Sequence, residues 1–253
     1  MQAIKKQVLL LMNWPATATP LAEFDAAIID LDGTLVDTLG DFVAALELLS
    51  IDFVEKGYVA EPFTPNAVKP MVGKGSENLV YTALSVLNCL PGQVLIAGDA
   101  VDSEKNFAWA CRRYQQHYRA VSGQHAEVYP GVLEGLQALR DAGLVLACVT
   151  NKPVAFAQPL LVQLGLDGYF SLVFGGDSFP LKKPDPMPLL KTCEVLGTLP
   201  ARTLMIGDSS NDYDAARAAG CPVVLVTYGY NHGQPIRSVT PDRFVDSLAE
   251  LSA

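Results

Sequence analysis

Two carboxylates one residue apart, Asp30 and Asp32, stand in the stretch FDAAIIDLDGTLVDT at positions 24–38. They follow Ala26-Ala27-Ile28-Ile29, a short apolar and partly β-branched run of the kind that forms a strand buried on both faces. Unpaired buried charge is costly, so acids at the tip of such a strand predict a cation waiting there. In a strand that simply continued, the two side chains would point to opposite faces. Gly33 and Thr34 allow the backbone to turn, which lets both acids face one pocket. Plain turn formation by Asp and Gly is the competing explanation.

Three later stretches offer complementary chemistry. Thr150-Asn151 follows an apolar run and presents a hydroxyl and an amide, which donate hydrogen bonds to phosphoryl oxygens without adding charge. Lys182-Lys183-Pro184-Asp185-Pro186 supplies a positive point charge for the same kind of group. Leu204-Met205-Ile206-Gly207-Asp208 again brings an acid to the end of an apolar run, with Asp212 four residues on, and hard oxygen ligands suit Mg²⁺. Taken singly, the first is explained by turn chemistry and the second by a solvated connector. A similar run, Val94 to Asp99, lacks the second acid and the Ala-rich continuation (215–219) that follow Asp208.

These positions demand a particular scaffold. Strand-like runs at 144–149, 170–174, 203–206 and 223–227 alternate with helix-like runs at 132–142, 154–164, 187–196 and 212–219. The alternation predicts an α/β fold: a Rossmann-like parallel sheet flanked by helices, with ligands beyond the carboxyl ends of its strands. Between the first strand and the second, apolar residues recur at helical spacing in Phe42, Val43, Leu46, Leu49 and Phe53, then in 78–87 and 103–121. That insertion predicts a small helical cap domain at 40–124, placed after the first strand of a core domain made of 24–39 and 125–253. Residues 1–23 form an N-terminal extension, and Met12 is an alternative start.

Composition sets the remaining bounds. A formal net charge of -9 argues against general affinity for nucleic acid. No apolar run approaches the ~18 residues needed to cross a membrane. Lys5-Lys6 followed by Val8–Met12 imitates a secretion signal, but Asn13 and Pro15 cut its apolar part short. Five scattered cysteines (89, 111, 148, 193 and 221) show no metal-binding spacing and suit free thiols in a reducing, cytoplasmic setting. His117, His125 and His232 show no ligand spacing and are expected on the surface or in structural roles.

Through DLDGT (30–34), Thr150-Asn151, Lys183-Pro184 and GDSSND (207–212), in that order, the chain resembles the haloacid dehalogenase superfamily. Further likeness lies in VGKGSENLVYTAL (72–84), YPGVLEGLQAL (129–139), VTNKP (149–153), TYGYNHG (227–233) and PDRFVDSLAEL (241–251). These segments are most similar to the branch of bacterial phosphoglycolate phosphatases. The resemblance implies a Mg²⁺-dependent hydrolase of small phosphate monoesters, with 2-phosphoglycolate favoured as the substrate. It makes Asp30 the nucleophile that forms an aspartyl-phosphate and Asp32 the general acid and base. It assigns the metal to Asp30, the backbone carbonyl of Asp32 and Asp208, with Asp212 steadying that site from behind. Thr150, Asn151 and Lys183 would bind the phosphoryl group, and Gly73, Lys74 and Gly75 would close over substrate. An acid at position 32 argues against dehalogenation. A sugar-phosphate phosphatase, a phosphoglucomutase-like phosphotransferase and a non-catalytic binding protein are the alternatives, and the oligomeric state is left open.

Overall fold

The computed structural model describes residues 21–57, 62–86 and 103–252. Residues 1–20, Cys89 and the Val94–Asp99 run lie outside these. The strands are β1 (Ala26–Ile29), β2 (Val36–Asp37), β3 (Glu127–Val128), β4 (Val145–Val149), β5 (Leu172–Phe174), β6 (Thr203–Gly207), β7 (Val223–Val226) and β8 (Arg243–Val245). The helices are α1 (Leu39–Glu55), α2 (Pro65–Val68), α3 (Ser76–Val86), α4 (Ser103–Val121), α5 (Val132–Asp141), α6 (Val154–Gln163), α7 (Met187–Leu196) and α8 (Ser210–Ala219).

A parallel sheet in the order β5-β4-β1-β6-β7-β8 forms the floor of the molecule. β1 lies between β4 and β6, with Ile28 opposite Ala147 on one side and Met205 on the other. Every residue of β1 is buried, which accounts for its unbroken apolar sequence. Its side chains alternate between two cores. Ala27 and Ile29 join Leu136, Leu146 and Leu161 on one face, while Ile28 joins Met205, Ala215 and Leu189 on the other. The chain runs outward from β1 through β4 to β5, then returns to β6 and runs the opposite way. That reversal opens a crevice above the carboxyl end of β1.

Helices α1 to α4 gather a third apolar cluster, in which Phe42, Leu46, Leu49, Leu79, Val80 and Tyr114 meet. Phe156 from α6 and Tyr230 join it from the sheet side. The chain enters and leaves this helical layer through the antiparallel pair β2–β3. Buried Asp41 in α1 accepts hydrogen bonds from the backbone N–H groups of Gly123 (2.6 Å) and His125 (2.9 Å), tying exit to entry. The sequence pattern missed β2 and β3, whose two residues show no periodicity, and it missed β8, so the sheet extends one strand beyond 223–227.

Candidate active site

At the tip of β1 the backbone N–H of Asp30 still bonds to Ile206 of β6 (2.9 Å). Beyond it, the N–H groups of Thr34, Leu35 and Val36 all turn back to the carbonyl of Leu31. Gly33 sits at φ +86°, and a Cβ there would lie 2.5 Å from Asp208 Oδ2, so the turn requires glycine on two counts. This tight reversal brings Asp30 and Asp32 to the same cavity.

Asp30, Asp208 and Asp212 each offer a carboxylate oxygen within 4.8 Å of the others. Burial pushes the Asp30 carboxyl up to about 7 despite the nearby Lys183 ammonium. Burial, with the charges of Asp212 and Asp30, likewise holds Asp208 well above the ordinary carboxylate range. Asp208 Oδ2 accepts the backbone N–H of Tyr230 at 2.6 Å. Asp212 is oriented more tightly. Its Oδ2 accepts from the N–H (3.1 Å) and hydroxyl (2.6 Å) of Ser209, capping α8, while its Oδ1 accepts from Lys183 Nζ at 2.6 Å.

Lys183 is nearly enclosed. Its ammonium donates to Asp212 and to the Val149 carbonyl (2.7 Å), and lies 2.9 Å from Asp30 Oδ1. Burial opposes its charge, but Asp212 and Asp30 outweigh that and hold it above the ordinary lysine range. The Asp30 contact is an ion pair outside hydrogen-bonding geometry, and Asp30 Oδ1 is a buried oxygen with no hydrogen-bond partner. Asp30, Asp32 and Asp212 therefore line one cavity with two ammonium groups, Lys183 and Lys152, and Asp208 lies directly behind, beside Asp30 and Asp212. Three buried carboxylates with oxygens this close, in this negative excess, fit a hard divalent cation.

The tip of β4 carries Thr150, Asn151 and Lys152. The Thr150 hydroxyl accepts the N–H of Lys152 (3.2 Å), leaving its own proton to donate. Asn151 commits both side-chain hydrogens, one to the carbonyl of Lys183 (2.8 Å) and one to that of Gly73 (3.1 Å). Its amide thus braces the lysine loop and the helical layer instead of pointing freely into the cavity. Sequence reasoning missed Lys152. Its ammonium donates to Asp32 Oδ1 at 2.8 Å, and the Thr38 hydroxyl meets the same oxygen at 2.8 Å. The only signal was a lysine directly after the Thr-Asn pair, a position where most lysines are solvated.

The loop before α3 closes over this chemistry. The Gly73 carbonyl accepts from Asn151 and from Asn211 (3.1 Å), and His232 Nδ1 lies 2.7 Å from the Val72 carbonyl. Gly73 has φ +105°, and a Cβ there would lie 2.5 Å from the His232 ring. Gly73, Gly75 and Ser76 line the cavity, whereas Lys74 is exposed and does not line it. Lys74 therefore departs from the expectation that the whole Gly-Lys-Gly loop faces substrate. His232 serves this seam, and His117 pairs with Asp52 at 2.6 Å within the helical layer.

Residues 27–226 match the family model described as haloacid dehalogenase-like hydrolase. A phosphoglycolate phosphatase of Thiobacillus denitrificans is 44% identical over 227 residues, 90% of this chain and 93% of that protein. A plasmid-encoded phosphoglycolate phosphatase of Cupriavidus necator is 42% identical over 90% of this chain and 91% of its own length. Among solved structures, a predicted phosphoglycolate phosphatase from Haemophilus somnus superposes with a TM-score of 0.80. It shares 34% identity and covers 90% of this chain and 96% of its own.

Proposed function

The chain belongs to the haloacid dehalogenase-like hydrolases, and on that premise we propose that it is a Mg²⁺-dependent phosphatase acting on 2-phosphoglycolate through an aspartyl-phosphate. The observation that carries the reading is the meeting of Asp30 with Asp208, Asp212 and Lys183 at one buried point, with Asp32 on the same cavity. Asp30 is buried there with its Oδ1 2.9 Å from the Lys183 ammonium, so a carboxylate nucleophile and a cation for the incoming phosphoryl group stand side by side. It attacks phosphorus, the P–O bond to the alcohol breaks, and the phosphoryl group passes to the carboxylate. Asp32 protonates the departing alkoxide, then takes a proton from the water that hydrolyses the acyl phosphate.

Lys183 and the Thr150 hydroxyl stabilise the equatorial oxygens. Asp30, Asp208 and the backbone carbonyl of Asp32 would hold Mg²⁺, which supplies the charge neutralisation that lets a carboxylate approach a phosphate dianion. Asp212 keeps Lys183 and the start of α8 in place behind them. The helices between β2 and β3 act as the cap. The cavity beneath them is lined by both lysines and by aromatic side chains from the helices.

The test is a panel of small phosphate esters assayed with Mg²⁺, comparing kcat/KM. The expected outcome is a clear maximum for 2-phosphoglycolate. A maximum on a hexose phosphate, or formation of a bisphosphate from a monophosphate acceptor, would overturn it.

A further inference from the structure

Lys152 is a buried cation that enters the proposed phosphoryl transfer only through its contact with Asp32. Its side chain is 3% exposed, and its ammonium lies 4.8 Å from the ring centres of both Phe42 and Tyr118. Both rings belong to the helical layer, so the cage is complete only when that layer sits on the sheet. An ammonium held in such surroundings is strongly desolvated, and its attraction for an anion rises accordingly. Asp32 balances it through one hydrogen bond.

The two lysines facing the cavity differ in what they have left to give. Lys183 is taken up by Val149, Asp212 and Asp30. Lys152 donates one hydrogen bond to a side chain and otherwise faces aromatic rings. The nearby walls, Phe42, Leu79, Tyr114, Tyr118 and Phe156, are aromatic or aliphatic. A substrate's second anionic group entering this cavity meets Lys152.

We propose that Lys152 is the specificity-determining anchor for a carboxylate on the substrate, an assignment that rests on the phosphatase reading above. The geometry also places that carboxylate on the Asp32 side of the cavity. Asp32 reaches the ester oxygen in order to protonate it, and Lys152 Nζ is 2.8 Å from Asp32. A carboxylate bonded to Nζ therefore lies close to the ester oxygen, as in the phosphate ester of a 2-hydroxy acid. Neutral esters lack a partner for the ammonium.

The experiment compares 2-phosphoglycolate with ethyl phosphate, which has the same two-carbon ester without the acid, in wild type and in Lys152→Met. The variant should lower the preference for 2-phosphoglycolate over ethyl phosphate by about 30-fold or more, mainly through KM. Equal losses on both esters would show that Lys152 acts only by positioning Asp32, and would overturn the assignment while leaving the phosphatase reading intact. A wild-type enzyme with no preference for the acidic ester would remove the substrate reading and this assignment together. Should Lys152→Met fail to fold, product inhibition of the wild type answers the same question. Glycolate should inhibit about tenfold or more better than uncharged glycolamide, and equal inhibition would overturn the assignment.

Discussion

At the scale of single residues, the site divides into groups whose chemistry is evident from type and groups whose role comes from surroundings. On the proposed mechanism Asp30→Asn removes the nucleophile but keeps the shape, and should lower kcat by about 10⁴-fold or more in a steady-state assay. Protonation gives a second prediction. Asp30 in the folded chain keeps its proton until about pH 7, whereas an unfolded aspartate loses it near 4. Its contribution to stability is therefore full below the unfolded value and is lost as pH rises through about 7. Thermal melting without metal should show this cluster less stabilising at about pH 8 than at about pH 5.5, and added Mg²⁺ should raise the melting temperature more at the higher pH. That Asp30 and Asp32 share a cavity and that Asp208 lies close to Asp30 was legible, because acids at the ends of neighbouring apolar strands come together at one sheet edge. Lys152 was not legible, since only the folded chain shows a flexible lysine stem turned inward beneath two rings.

At the scale of elements, Tyr230 ties the loop after β7 to the entrance of the helical layer. Its hydroxyl accepts the N–H of Thr38 (2.7 Å) and donates to Asp37 (2.8 Å), while its own N–H holds Asp208. Tyr230→Phe leaves the buried Thr38 N–H without that acceptor and should cost about 1–3 kcal/mol in denaturant unfolding. The seam between loop 72–75 and the sheet makes a different prediction. Asn211→Ala combined with His232→Ala removes two grips on the loop and should raise KM several-fold. The melting temperature should change less, because neither side chain belongs to an apolar core. The longer strands and helices were legible through their period, and α8 was marked by the acid four residues after Asp208. The β2–β3 pair escaped because its two-residue strands are defined only by each other.

At the scale of the whole molecule, one central strand serves both stability and chemistry. Ile28 is fully buried, and Ile28→Ala should cost about 2–5 kcal/mol in equilibrium unfolding. Its loss should also shift Asp30, two residues on. The parallel sheet and the helical insertion were legible because their patterns run over tens of residues. The fit of one layer on the other was not, since it depends on single polar contacts across the seam. Those contacts grasp the loop by the backbone carbonyls of Val72 and Gly73, not by its side chains. Position 76, which lines the cavity, can therefore be randomised in a directed-evolution library while the loop keeps its hold on the sheet, so new substrate preferences can be selected without first rebuilding that seam.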